Sequence, residues 1–201
     1  AVCDAARLRG IGFIATPFSL SDIPRLDFLG ADAVKIASPD AVNTPLLEAV
    51  GTLGKPLIIS TGACDLDELD HAAACVYDRG GVLLHCVSAY PTPMDEAGLG
   101  GVAALRERIG LPVGYSDHTT ATHTGALAVM TGACVLEKHL TLDRAASGPD
   151  HAASLEPTAL RDYIQQAHAA AAALGPIAKT VTPIEREARQ LSRQSVCVTR
   201  D

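Results

Sequence analysis

Tryptophan is absent from this chain, and aromatic residues make up only 3% of its 201 positions. A core anchored on large rings is therefore excluded. Packing must rest on Ala, Val, Leu and Ile, the usual filling of parallel sheets covered by helices. A surplus of positive charge is missing too: 16 Lys and Arg stand against 23 Asp and Glu, a formal net charge of −7. This argues against a nucleic-acid surface or an anionic-membrane surface. An anionic substrate would need a locally positive pocket. No apolar run is long enough to span a bilayer, and the opening AVCDAARLRG lacks the apolar centre of a signal peptide. The six cysteines, Cys3, Cys64, Cys75, Cys86, Cys134 and Cys197, show no C-x-x-C and no regular pairing. They read as reduced thiols of a cytoplasmic protein.

What is present is a repeat. Hydrophobic residues reach 48%, and the length suits one large domain. Short apolar strands are predicted at 12–16, 33–38, 56–61, 82–88, 112–116 and 134–139. Between and after them lie Ala/Leu-rich amphipathic segments at 21–29, 44–53, 65–79, 99–109, 122–131, 157–174 and 183–191. Asp65 with Glu68 makes an N-cap pattern, Gly80-Gly81 stops that helix, and Pro157 and Pro183 suit first helical turns. Regular βα alternation predicts a parallel sheet with right-handed crossovers. Polar residues end every strand instead of gathering at one switch point, which favours a (β/α)8 TIM barrel over an open doubly wound sheet. Such a barrel takes about 250 residues and eight units. Only about six units are visible, so the reading is an incomplete barrel over 1–191 that lacks its first two units and opens almost directly on a strand. Residues 192–201 read as the beginning of another element.

The strand ends carry the chemistry. His118 and His139 close consecutive strands, so parallel pairing would bring both imidazoles to one carboxyl-end rim, within reach of one divalent ion. Either histidine alone would be structural; the pair, with Glu137 alongside, points to a metal or acid–base site. Alternation puts Glu137 and His139 inward and Lys138 between the helices. Asp117 is expected to orient a neighbouring imidazole. Lys35 points either into the barrel mouth, where it wants an anion, or into water. Ser60-Thr61-Gly62 is equally a phosphate-cradling turn or an ordinary βα turn. Pro91 and Pro93 fix a loop that presents Tyr90 over the mouth. His85 reads as a satisfied core histidine, and His71, His123 and His168 fall on helix surfaces. Gly98-Leu99-Gly100-Gly101-Val102-Ala103 does not directly follow a strand and reads as a helix lead-in, not a nucleotide loop. Gly148-Pro149 shapes a turn that holds Asp150 either toward the mouth or in solvent.

The ordered set ATPFS, VKIAS, KPLIISTG, LLHCVSAYPTP, VGYSDHT, LEKHLTLD and GPDHAASLEP resembles the N-acetylneuraminate (sialic acid) synthase family, with its legionaminic and pseudaminic acid relatives. The resemblance implies a barrel enzyme that condenses phosphoenolpyruvate with an N-acylated amino-sugar aldehyde and releases phosphate. Matched segment by segment, it implies a phosphoenolpyruvate pocket of Thr16, Lys35, Ser38, Ser60, Ser88 and Ser116. It implies Mn²⁺ or Mg²⁺ on His118 and His139, the sugar on Tyr90 and Asp150, and Glu137 beside the metal. It also implies a homodimer in the full-length protein, and a C-terminal antifreeze-like domain toward which 192–201 would lead. Ser88 stands where many members have Asn, and Ala37-Ser38-Pro39-Asp40 replaces a commoner glycine-containing segment. The family's first two units carry a further acidic residue and a lysine that this chain does not show. A related octulosonate or heptulosonate synthase would need more arginine at the rim than Arg144 offers, and a non-catalytic incomplete barrel is the third reading.

Overall fold

The computed structural model describes residues 2–176, 178–195 and 197. Its strands are β1 (Ile14–Ala15), β2 (Ala33–Ile36), β3 (Leu57–Ser60), β4 (Gly81–Cys86), β5 (Val113–Asp117) and β6 (Val135–Lys138). They form one sheet in the order β1-β2-β3-β4-β5-β6, with every neighbouring pair parallel. The helices are α1 (Val2–Leu8), α2 (Ile23–Leu29), α3 (Thr44–Gly51), α4 (Asp70–Arg79), α5 (Gly100–Ile109), α6 (Thr124–Met130), α7 (Pro157–Leu174) and α8 (Arg186–Ser192). All six predicted strands are present, each trimmed by a residue or more at one end or both.

The sheet is curled. In a flat sheet, β2 and β6 would lie roughly 19 Å apart, four strand spacings. Instead Lys35 on β2 and Glu137 on β6 meet at 3.7 Å between Nζ and Oε1. The six strands are thus a partial (β/α)8 barrel, closed enough for side chains to meet across its interior.

Alternation divides the labour between the two faces. Val34, Ile36, Leu57, Ile59, Leu83, Val113 and Tyr115 face outward and pack on Leu47, Val50, Val76, Val102 and Leu105 of the helices. This layer is the hydrophobic core, and each fully buried aliphatic side chain contributes about 1.5–3 kcal/mol. Lys35, Ser60, Cys86, Ser116 and Glu137 take the opposite phase, and the register pairs Cys86 with Ser116 and Ser116 with Glu137.

Local signals explain the helix boundaries. Asp65 and Glu68 form the expected capping box, with Asp65 N donating to Glu68 Oε2 at 2.7 Å. That predicted helix is divided, a 3₁₀ turn at Leu66–Leu69 leading into α4. Against the expectation of a sequence opening almost directly on a strand, α1 precedes β1 and is tied down by Arg7, which donates to the Leu29 carbonyl at 2.7 Å. The segment 192–201 lies partly outside the described residues, which omit 196 and 198–201. Among the described residues no helix is long and apolar enough to cross a membrane.

Candidate active site

At the carboxyl ends of the strands lies a cavity of about 440 Å³. Ten of the eleven residues singled out from the sequence line it: Thr16, Lys35, Ser38, Ser60, Ser88, Tyr90, Ser116, His118, Glu137 and His139. The eleventh, Asp150, stands beside it, with Oδ2 3.9 Å from Nδ1 of His139.

Lys35 points inward. Its Nζ donates to Ser60 Oγ at 2.8 Å and faces Glu137. Burial lowers its pKa from the ordinary 10.5, and the Glu137 carboxylate partly opposes that shift. Ser116 donates to Glu137 Oε2 at 2.5 Å, and Ser60 approaches the same oxygen at 3.5 Å. One carboxylate, one ammonium and two hydroxyls therefore form a single network spanning β2, β3, β5 and β6. Ser38, expected as the last residue of its strand, lies beyond β2 in a 3₁₀ turn, where its Oγ accepts the Gly62 N–H at 3.0 Å. The Ser60-Thr61-Gly62 turn is thus built into the pocket wall.

The two imidazoles are neighbours, with ring centroids 5.3 Å apart. Nδ1 of His118 lies 2.8 Å from the carbonyl oxygen of Val87. A carbonyl only accepts, so Nδ1 carries the proton and Nε2 keeps its lone pair. Burial, the largest influence, also lowers the His118 pKa and so favours the neutral ring. The Tyr90 ring covers His118 at 4.0 Å and meets His139 edge-on at 5.7 Å. Among the described residues, no group of three or more His, Cys, Asp or Glu is gathered around one point that could hold an ion. The protein supplies at most two imidazole donors here, which suits an open site completed by water or substrate oxygens.

One sequence expectation is settled differently, and one pocket residue carried no expectation. Asp117 does not orient an imidazole of the pocket: it faces the helices and pairs with Lys138, Oδ1 to Nζ at 3.1 Å. An alternating strand places it opposite in sense to Ser116 and His118. Cys86 was not singled out, yet it lines the cavity, with Sγ 3.6 Å from Ser38 Oγ. Its place two residues before Ser88 in the predicted strand 82–88 was the available signal. His85 is a packed histidine as expected, stacked on Tyr115 at 5.9 Å. His71, His123 and His168 are exposed.

Comparison with known proteins gives the family and the fold. The profile of the NeuB family matches residues 1–179. The N,N'-diacetyllegionaminic acid synthase of Campylobacter jejuni is 38% identical over 98% of this chain and 60% of its own length. That of Legionella pneumophila is 39% identical over 98% of this chain and 58% of its own. The crystal structure of the N-acetylneuraminic acid synthetase of Leptospira borgpetersenii, in complex with citrate, superposes with a TM-score of 0.88. It has 33% identity and covers 94% of this chain and 67% of that one. The chain thus spans about 60% of the length of the curated relatives it matches.

Proposed function

Since the chain belongs to the NeuB family, we propose that its protein condenses phosphoenolpyruvate with an N-acylated amino-sugar aldehyde and water, giving a nonulosonic acid and phosphate. The observation that carries this reading is the convergence of Lys35, four serine hydroxyls and two imidazoles in one cavity of an otherwise acidic protein.

Phosphoenolpyruvate is a dense anion. The Lys35 ammonium and the hydroxyls of Thr16, Ser38, Ser60, Ser88 and Ser116 hold it through charge-assisted and neutral hydrogen bonds. Tyr90, across the imidazoles, and Asp150, beside His139, hold the acceptor sugar. His118 and His139 are the residues that would hold Mn²⁺ or Mg²⁺, and the Val87 carbonyl presets the His118 tautomer for that task. When bound, such an ion supplies Lewis-acid polarisation of the sugar aldehyde. C3 of phosphoenolpyruvate forms the new bond to the aldehyde carbon as the carbonyl π bond breaks toward its oxygen, and cationic character develops at C2. Glu137, oriented by Ser116 and Lys35, takes one proton of the water that adds at C2, and that proton ends on the new sugar hydroxyl; the tetrahedral product then forms its C2 carbonyl and expels phosphate, which carries away the other water proton.

Free thiols at all six cysteines and the absence of a membrane-crossing helix among the described residues support a cytoplasmic setting. We place 1–191 in the barrel domain and 192–201 in a linker toward a further domain, in a homodimeric full-length protein. The test is release of inorganic phosphate from phosphoenolpyruvate with a panel of N-acylated amino-sugars, N-acetylmannosamine first, in the presence of Mn²⁺. It is run on this chain and on a version extended at both ends. Phosphate release dependent on one sugar supports the reading, and none from either version with any sugar overturns it.

A further inference from the structure

Behind the pocket wall, on the helix-facing side of the sheet, sits a second charged cluster. Asp117 and Lys138 are register partners on β5 and β6, and their side chains are 0% and 3% exposed. Asp117 Oδ1 accepts the Thr119 N–H at 2.8 Å, and Oδ2 accepts the Thr124 hydroxyl at 2.6 Å. Lys138 Nζ donates to the Thr119 carbonyl and lies 5.3 Å from the centroid of the Tyr163 ring. The ring in turn fits against α6 because Gly125 has no side chain; a Cβ there would stand 2.4 Å from Tyr163 Cζ.

Each member of the ion pair immediately precedes one of the two imidazoles. On an alternating strand, fixing a residue outward fixes the next one inward. The β5–β6 ladder ends at the Asp117–Lys138 pair; beyond it the His118 carbonyl accepts the Thr92 N–H at 3.0 Å and the His139 carbonyl accepts the Leu155 N–H at 2.9 Å, bonds to separate segments that do not tie the two histidines to each other. The ion pair continues the tie: it grips the backbone of Thr119 through both its N–H and its carbonyl, and so holds the chain on both sides of His118. Stability alone does not call for this arrangement, because a buried ion pair is often no better than an apolar pair of similar volume. Apolar residues there would fill the space without directing the Thr119 backbone.

We infer that Asp117 and Lys138 are positioning residues: a buried clamp that sets the separation of His118 and His139, and through it the affinity of the site for a divalent cation. The cation part rests on the function proposed above. The test compares the full chain with the Asp117→Asn/Lys138→Met double variant, which removes the cross-strand tie without leaving a buried charge unpaired. Mn²⁺ binding is followed by calorimetry, phosphoenolpyruvate binding by calorimetry in the presence of chelator, and the variant's crystal structure is determined. Gly101→Ala, a packing change beneath His85 that touches no member of the cluster directly and is separated from it by the Tyr115 ring, serves as the stability control.

The expected result is Mn²⁺ affinity reduced about tenfold, the lower end of what partners behind metal ligands provide. Phosphoenolpyruvate affinity should stay within about twofold, and the ring separation should depart from 5.3 Å. Unchanged Mn²⁺ affinity, or an equal loss in Gly101→Ala, overturns the inference. If the unaltered protein takes up no Mn²⁺, the metal reading fails by itself, and an unchanged ring separation in the variant overturns the clamp. Should the double variant fail to fold, Thr124→Val, which deletes one bond to Asp117, carries the same comparison with a smaller expected loss.

Discussion

Gly62 and Ser88 touch across the pocket wall with no room between them: a Cβ on Gly62 would lie 2.3 Å from Ser88 Oγ, and 3.0 Å from Ser38 Oγ. Two hydroxyls assigned to phosphoenolpyruvate are therefore placed by the absence of a methyl group. Gly62→Ala should displace both while leaving the outer hydrophobic layer intact. We expect phosphoenolpyruvate affinity to fall about tenfold, the equivalent of one good hydrogen bond, with a melting temperature close to that of the parent. Calorimetric titration with phosphoenolpyruvate checks this, and an unaltered affinity would remove both serines from the binding set.

Lys35→Ala should weaken phosphoenolpyruvate binding by about 1.5–3 kcal/mol, the range for a hydrogen bond to a charged group. Glu137, which loses its cationic partner, would add its own repulsion to the anion. Binding isotherms for the variant decide the point.

The same lysine predicts a pH dependence. Its pKa in the folded protein is lowered below the ordinary 10.5, chiefly by burial. As pH rises through that lowered value the ammonium is lost, so phosphoenolpyruvate affinity should begin to fall below the usual lysine range. Stability of the unliganded protein should move the other way. In the window between the folded and unfolded values the unfolded chain binds more protons, so raising pH favours the folded state. Affinity and melting temperature measured across the alkaline range should diverge, and Lys35→Arg should flatten the affinity profile.

On the proposed function, His118→Ala and His139→Ala should each abolish divalent-metal binding and turnover, because among the described residues no other imidazole lines the cavity. Normal turnover in either variant would refute the assignment. Calorimetric titration with Mn²⁺ separates loss of the ion from loss of the fold.

Gly101→Ala tests packing away from the pocket. A Cβ there would approach the His85 ring to 2.5 Å, and that ring is stacked on Tyr115 in the core. Overpacking of this kind costs about 1–3 kcal/mol, so denaturant unfolding should show a lower midpoint while phosphoenolpyruvate affinity is retained.

The strands and the gathering of their polar ends were legible because period-two apolar runs and βα alternation are strong local signals. Lys35 illustrates the limit: its strand was clear, but only the curl that brings Glu137 within reach decides between cavity and solvent. Asp117 shows a different one. Its neighbours in sequence are pocket residues, yet alternation sends it to the helices, and nothing local announced Lys138 as its partner. The Val87 carbonyl that fixes the His118 tautomer carries no sequence signature, since every residue but its side chain looks alike there. Helix α1 was missed because a seven-residue segment gives too short a window for a helical period.

The apolar layer that holds the sheet to its helices lies outside the curled wall, while the reactive groups sit inside it. Inherited changes to the interior side chains can therefore alter what the cavity accepts with little loss of folding free energy. Ser88, which lines the cavity and is exposed, is the kind of place at which such drift is cheap. A scaffold divided in this way lets chemistry diversify on one side of a strand while the other side keeps the protein folded.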